Sequence, residues 1–83
     1  MKQKRSLLIQ LGQNIRAARH LSGLSQEALA LEAGLDRTYV GGVERGERNV
    51  SILNLHRISV VLGLSLSDLL QNVQDESSGQ EYP

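Results

Sequence analysis

Between Ser25 and Asn49 the chain reads SQEALALEAGLDRTYVGGVERGERN, and this run constrains the fold more than any other. Ser25 is suited to cap a helix, because its hydroxyl can accept a hydrogen bond from an otherwise unpaired backbone N–H. Leu29, Ala30 and Ala33 follow at helical spacing, and Gly34 suits the left-handed position that closes a helix. Asp36 offers a second cap only two residues later, opening a helix that leads with Arg37, Thr38 and Tyr39 and turns Val40, Val43 and Glu44 inward. Two helices joined by so short a turn must cross steeply. A chain that contains such a pair has little choice but to surround it with further helices.

The remaining sequence supplies them. Leu8, Leu11, Ile15 and Ala18 repeat at helical spacing, which predicts a first helix over 7–21, broken by Ser22 and Gly23 and preceded by a short basic arm over residues 1–6. The second helix is expected at 26–33 and the third at 37–45, closed by Gly46. Ser51 caps a fourth helix whose core stripe is Ile52, Leu55, Ile58, Ser59 and Leu62, ended by Gly63. A fifth is expected at 67–73, capped by Ser67, with Leu66, Leu69, Leu70 and Val73 inward. No segment alternates with the period of a strand. Residues 74–83, QDESSGQEYP, form a polar, acidic tail expected to be disordered. The expected architecture is all-α, a compact five-helix domain over 7–73.

Eighty-three residues suffice for one modest core, and with no Phe or Trp that core must be aliphatic. The lack of Cys removes disulfides, thiolate metal sites and a cysteine nucleophile, and suits the reducing cytoplasm, where the chain is expected to work. The apolar run Leu7 to Ile9 is too short for a secretory signal, and nothing approaches membrane-spanning length. His20 and His56 have no partners at ligand spacing, so no metal is expected. No carboxylate pair, catalytic triad or phosphate loop stands out, and a small bundle has little room for a substrate pocket, so neither an enzyme nor a cofactor or small-molecule effector is expected.

Zero net charge conceals a division. Residues 1–57 carry all nine Lys and Arg against five acids, a net of +4, whereas residues 58–83 carry four acids and no base, a net of −4. Such a dipole turns its basic end toward a polyanion. Together with the steep helix pair, this points to double-stranded DNA entered through the major groove.

Leu24-Ser25-Gln26-Glu27-Ala28-Leu29-Ala30, Gly34 and Val43-Glu44-Arg45-Gly46 resemble the phage-repressor and Cro type of helix-turn-helix regulator, over residues 11–71. Leu35-Asp36-Arg37-Thr38-Tyr39-Val40 with Arg45-Gly46 and Arg48-Asn49 is especially similar to controller proteins of restriction–modification systems. The resemblance implies a lambda-repressor-like fold and a sequence-specific transcriptional regulator. It places Gln26 at a DNA phosphate, aided by the positive helix terminus, and counts Ser25 among the DNA-binding residues. Arg37, Thr38 and Tyr39 would enter the major groove, Arg37 addressing guanine O6 and N7 and the Thr38 methyl a thymine methyl. Arg48 and Asn49 would follow the backbone, with Arg48 in reach of a base edge, and Arg45 would also contact DNA. It also implies an internal ion pair between Arg19 and Glu44. Tyr39 is open to either role, DNA contact or core packing. Gly41 departs from the Ser or other polar residue usual at that position. Either the backbone approaches DNA closely there, or specificity falls on Arg37, Thr38 and Arg48.

One reading helix covers few base pairs, so a homodimer on a two-fold operator is expected. Leu53 and Val60, seven residues apart and off the core stripe, are its expected interface, with Leu64 and Leu69 beside them. The alternative function is an antitoxin-like module that neutralises a partner protein through the same apolar face and the acidic tail.

Overall fold

Hydroxyl caps and left-handed glycines divide the chain into helices. In a computed structural model, which describes residues 2–75, these are α1 (Lys2–Leu21), α2 (Gln26–Ala33), α3 (Arg37–Glu44), α4 (Ile52–Leu62) and α5 (Leu66–Leu69), with no strand among the described residues. The Ser25 hydroxyl accepts from the Ala28 N–H at 3.0 Å and that of Ser51 from the Asn54 N–H at 3.1 Å. Gly34 and Gly63, at φ 72° and 70°, close α2 and α4 in a conformation that costs other residues about 1–2 kcal/mol. Asp36 precedes α3 with extended backbone but makes no side-chain cap bond, contrary to the expectation from its type.

Leu11 and Ile15 of α1, Leu29, Ala30 and Ala33 of α2, Val40 and Val43 of α3, Leu55, Ile58 and Leu62 of α4 and Leu69 of α5 are buried and form an aliphatic core. Every helix contributes to it, so the short pieces α2, α3 and α5 are held by packing rather than by intrinsic propensity. None of the helices is long and apolar enough to cross a membrane.

The crossing of α1 and α3 depends on Gly12. A Cβ placed there would lie 2.5 Å from the Val43 carbonyl oxygen and closer still to that of Glu44, so only a hydrogen fits between the backbones. Gly46 completes the contact, at φ +77° and with its Cβ direction 2.8 Å from Ile9 Cα. These two glycines seat the end of α3 against α1.

Four boundaries differ from the sequence reading. The stretch expected as an arm over residues 1–6 is helical from Lys2, because KQKRS holds good helix formers and no stop signal before Leu7. The cap of α5 is Ser65, not Ser67: Ser65 and Asp68 form a reciprocal capping box, with both bonds at 3.0 Å, and this moves the helix start forward. α5 ends at Leu69, with Leu70 as its cap, rather than running to Val73, and Asn72 turns left-handed beyond it at φ 64°. Gln74, expected to begin the disordered tail, is clasped by Gln10, whose amide donates to the Gln74 carbonyl at 2.9 Å and accepts from its N–H at 3.0 Å. One turn along α1, the Asn14 amide donates to the carbonyls of Leu69 and Gln71. Residues 76–83 of the expected tail lie outside the described residues.

Two burial expectations are also corrected. Ile52 is 62 % exposed rather than core, since as the first residue of α4 it sits at the rim of a shallow apolar groove with Leu7, Leu8 and Leu70. Leu69 is 1 % exposed, packed in the core of its own chain, and so is unavailable to a partner; Leu70, expected inward, is the exposed one.

Candidate nucleic-acid interface

The base of the site is a buried ion pair. Arg19 of α1 and Glu44 of α3 are each 7 % exposed, and their contact is bidentate: Nε to Oε2 at 2.7 Å and Nη2 to Oε1 at 3.0 Å. The third arm of the guanidinium, Nη1, donates to the Leu24 carbonyl at 2.9 Å, and the Gln26 amide donates to Glu44 Oε1 at 3.0 Å. The ion pair thus binds together α1, the turn before α2, the first residue of α2 and the end of α3. Burial pushes the Glu44 carboxyl up, but the hydrogen bonds from Arg19 and Gln26 and the charges of Arg19 and Arg16 hold it below the usual carboxylate range. The hydrogen bond to Glu44 raises the Arg19 guanidinium in turn, against its desolvation.

On this base α3 presents its first turn to solvent. Arg37 and Thr38 are exposed, with no core contact, at the N-terminal end of the helix. A cation at that end opposes the helix dipole, so Arg37 stands where only an outside anion or acceptor would reward it.

Tyr39 lies between surface and core. Its ring is half-buried against the apolar cluster, its hydroxyl accepts from the Asn54 amide at 3.1 Å, and the Arg48 guanidinium sits 5.5 Å from the ring centroid. The core-packing reading of Tyr39 has support in these surroundings, and the ring also carries a cation. Such a cation–π contact contributes about 0.5–1 kcal/mol at an exposed site, enough to favour one placement of Arg48.

The two mid-helix glycines have separate surroundings. The Arg48 stem crosses Gly42, where a Cβ would lie 2.9 Å from Arg48 Cγ. At Gly41 the absent side chain is replaced by two others, Arg45 Nη1 and Gln26 Oε1, which lie 3.2 and 3.4 Å from the Cβ position. Arg45 is exposed and pairs with Glu47, Nε to Oε1 at 3.1 Å, and Asn49 is exposed in the following loop.

The residues singled out in the sequence therefore gather as three groups: Arg37 with Thr38 at the helix tip, Gln26 and Arg45 over Gly41, and Tyr39 with Arg48 over Gly42; Gly41 itself is buried, contrary to its expected place among the DNA-contacting residues. The Ser25 hydroxyl is engaged in capping α2. Asn54 and Glu47 were not anticipated. Asn54 gave a faint signal as a polar residue one position from the core residue Leu55; Glu47, in a loop, gave none.

A family model described as helix-turn-helix matches residues 15–69, a span that includes α2, α3 and α4 entire. The chain is 42 % identical over 69 residues to control protein C.MunI of Mycoplasma sp, covering 82 % of this chain and 93 % of that protein. The crystal structure of the restriction-modification controller protein C.AhdI from Aeromonas hydrophila superposes with a TM-score of 0.74 at 50 % identity, over 75 % of this chain and 94 % of that one. The biofilm regulator SinR, solved in complex with DNA, superposes with a TM-score of 0.70 at 38 % identity, over 72 % of this chain and 97 % of that one. The chain belongs to the helix-turn-helix family of DNA-binding transcriptional regulators, which are not enzymes.

Proposed function

We propose that the chain binds a two-fold operator as a homodimer in the cytoplasm, each copy reading one half-site in the major groove through α3, and that it acts as the controller of a restriction–modification system. The observation that carries this reading is the pairing of an exposed Arg37 and Thr38 with a recognition helix held rigid by Arg19, Glu44 and Gln26. Arg37 supplies a fork for guanine O6 and N7, and Thr38 a methyl for thymine. Gln26, Arg48 and Asn49 supply backbone contacts, so affinity falls steeply with salt as counterions are released. The likeness to C.MunI and C.AhdI supports the controller role. Arg37→Ala is expected to cost about 1–3 kcal/mol of binding and to relax one base position. A mobility-shift titration against single-base operator variants measures this; unchanged affinity and preference would mean that α3 is not the reading helix.

Dimerisation has its own support. Leu53 and Val60 are 69 % and 62 % exposed on one side of α4, with Leu64 half-buried nearby. Two large apolar side chains open to water seven residues apart on one helix suit a contact between copies. Sedimentation of the double variant Leu53→Glu/Val60→Lys should show monomers where the parent shows dimers, and an unchanged sedimentation coefficient would remove α4 from the interface.

A further inference from the structure

We propose that Arg45 is a specificity-determining residue of the reading surface, seated in the space that Gly41 leaves empty, and that Glu47 is its positioning residue. This rests on the reading of α3 as the DNA-contacting helix.

Three observations lead to it. Arg37, Gly41 and Arg45 fall at i, i+4 and i+8 and so share one stripe of α3 and its cap. Helical side chains lean toward the N-terminus, so a long residue at i+4 covers the position one turn before it. Arg45 does this: its Nη1 lies 3.2 Å from where a residue-41 Cβ would be, so the guanidinium stands at the level of Gly41 rather than of its own Cα. The outer face of the helix at that level therefore carries a fork of N–H donors instead of a short side chain.

Glu47 determines how that fork is presented. Its carboxylate holds Arg45 by Nε at 3.1 Å, which leaves both Nη groups to address an acceptor pair. The ion pair is also neutral overall, so it adds little to the counterion release that drives phosphate binding, and its carboxylate repels phosphate oxygens. An arginine buttressed at Nε and balanced in charge is suited to a base edge, with guanine O6 and N7 as the matching acceptors. One helical turn is about 5.4 Å of rise, against about 3.4 Å per base pair. The base pair addressed by Arg45 is thus distinct from the one addressed by Arg37, which gives the chain a second sequence-reading cation where its glycine would otherwise read nothing.

The test uses the DNA duplex that the full chain enriches from a random pool, together with its complete set of single-base-pair variants. Binding is measured by fluorescence anisotropy at several salt concentrations for the parent, Arg37→Ala, Arg45→Ala, Arg45→Lys and Glu47→Gln. The expected result is loss of at least about fivefold preference at one base pair in both Arg45 variants, at a position that Arg37→Ala leaves alone. Arg45→Lys keeps the charge, so its loss of preference isolates the fork geometry. Glu47→Gln should weaken preference at that same base pair while strengthening binding to non-cognate duplex and steepening the salt dependence. Uniform weakening across all variants on Arg45→Ala would make Arg45 a phosphate contact and overturn the assignment. An Arg45-dependent preference that Glu47→Gln leaves intact would overturn the role of Glu47. Failure of the parent to enrich any duplex would instead overturn the DNA-reading proposal beneath it.

Discussion

Replacing Glu44 with alanine is expected to lower the unfolding free energy by about 3–5 kcal/mol, which is the usual cost of removing one partner from a buried ion pair. Arg19, 7 % exposed, would keep its charge and lose both of its bonds to the carboxylate, and the Gln26 amide would lose its acceptor. An 83-residue domain has a total stability on the order of 4–12 kcal/mol, so this one side chain decides whether the fold survives. The pair need not be a large net stabiliser for this to hold. The joint variant Arg19→Met/Glu44→Leu, which removes both charges, is expected to be far less damaging than Glu44→Ala alone. The pH dependence follows from the same bonds. Because the folded carboxyl is held below its ordinary value, its contribution is complete at neutral pH, above the unfolded value, and is lost as acid carries the pH down through the folded value. Urea unfolding followed by circular dichroism at pH 7 and in acid measures both effects. A cost below about 1 kcal/mol for Glu44→Ala at pH 7 would show that the network does not hold α3 in place.

The second large effect is expected at Gly12, where substitution reverses the usual rule for helices. In an exposed helix interior, alanine is better than glycine by about 1 kcal/mol. At Gly12 a methyl group would lie within 2.5 Å of the Val43 carbonyl oxygen, which is backbone and cannot rotate aside, so α1 and α3 must separate. Gly12→Ala is therefore expected to destabilise by about 1–3 kcal/mol despite its helical gain, and to displace α3 with it. Gly42→Ala provides the contrast within the same denaturation series. Its nearest neighbour is Arg48 Cγ at 2.9 Å, a side chain rather than backbone, so the expected result is a smaller loss of stability than at Gly12, with Arg48 displaced. Equal effects at the two positions would contradict the account of the helix crossing.

Much of this was legible from residue types alone. Ser25, Gly34, Ser51 and Gly63 mark the limits of α2 and α4 because capping is local chemistry, read from one side chain and its neighbours. The aliphatic stripe Leu11, Ile15, Leu29, Val40, Val43, Leu55, Ile58 gave the core, and the family words gave the Arg19–Glu44 pair. What escaped was either competitive or long-range. Ser65 and Ser67 are equally good caps by type, and only the reciprocal bond from Asp68 chooses between them. Leu69 and Leu70 are identical side chains one position apart, and the packing of α5 on α1 and α4 decides which is buried. Gln74 looked like the start of a free tail because its partner, Gln10, lies 64 positions away. Gly12 stands in mid-helix between core residues, a placement that signals close backbone approach, yet its partner strand of chain, the end of α3, is visible only in three dimensions. On the interface, sequence gave the identities of Arg37, Thr38, Tyr39, Arg45 and Arg48 but not their grouping. The occupation of the Gly41 space by Arg45 and Gln26 is a tertiary fact.

The central claim is that α3, fixed by the Arg19–Glu44 network, reads DNA in pairs of half-sites. Selection of duplexes from a random pool by the unmodified chain tests it most directly. The account predicts enrichment of two inverted half-sites, their centres separated by about one helical turn of DNA or a multiple of it, with fixed bases in each half. Enrichment of a single unrepeated motif, or of no motif at all, would contradict it.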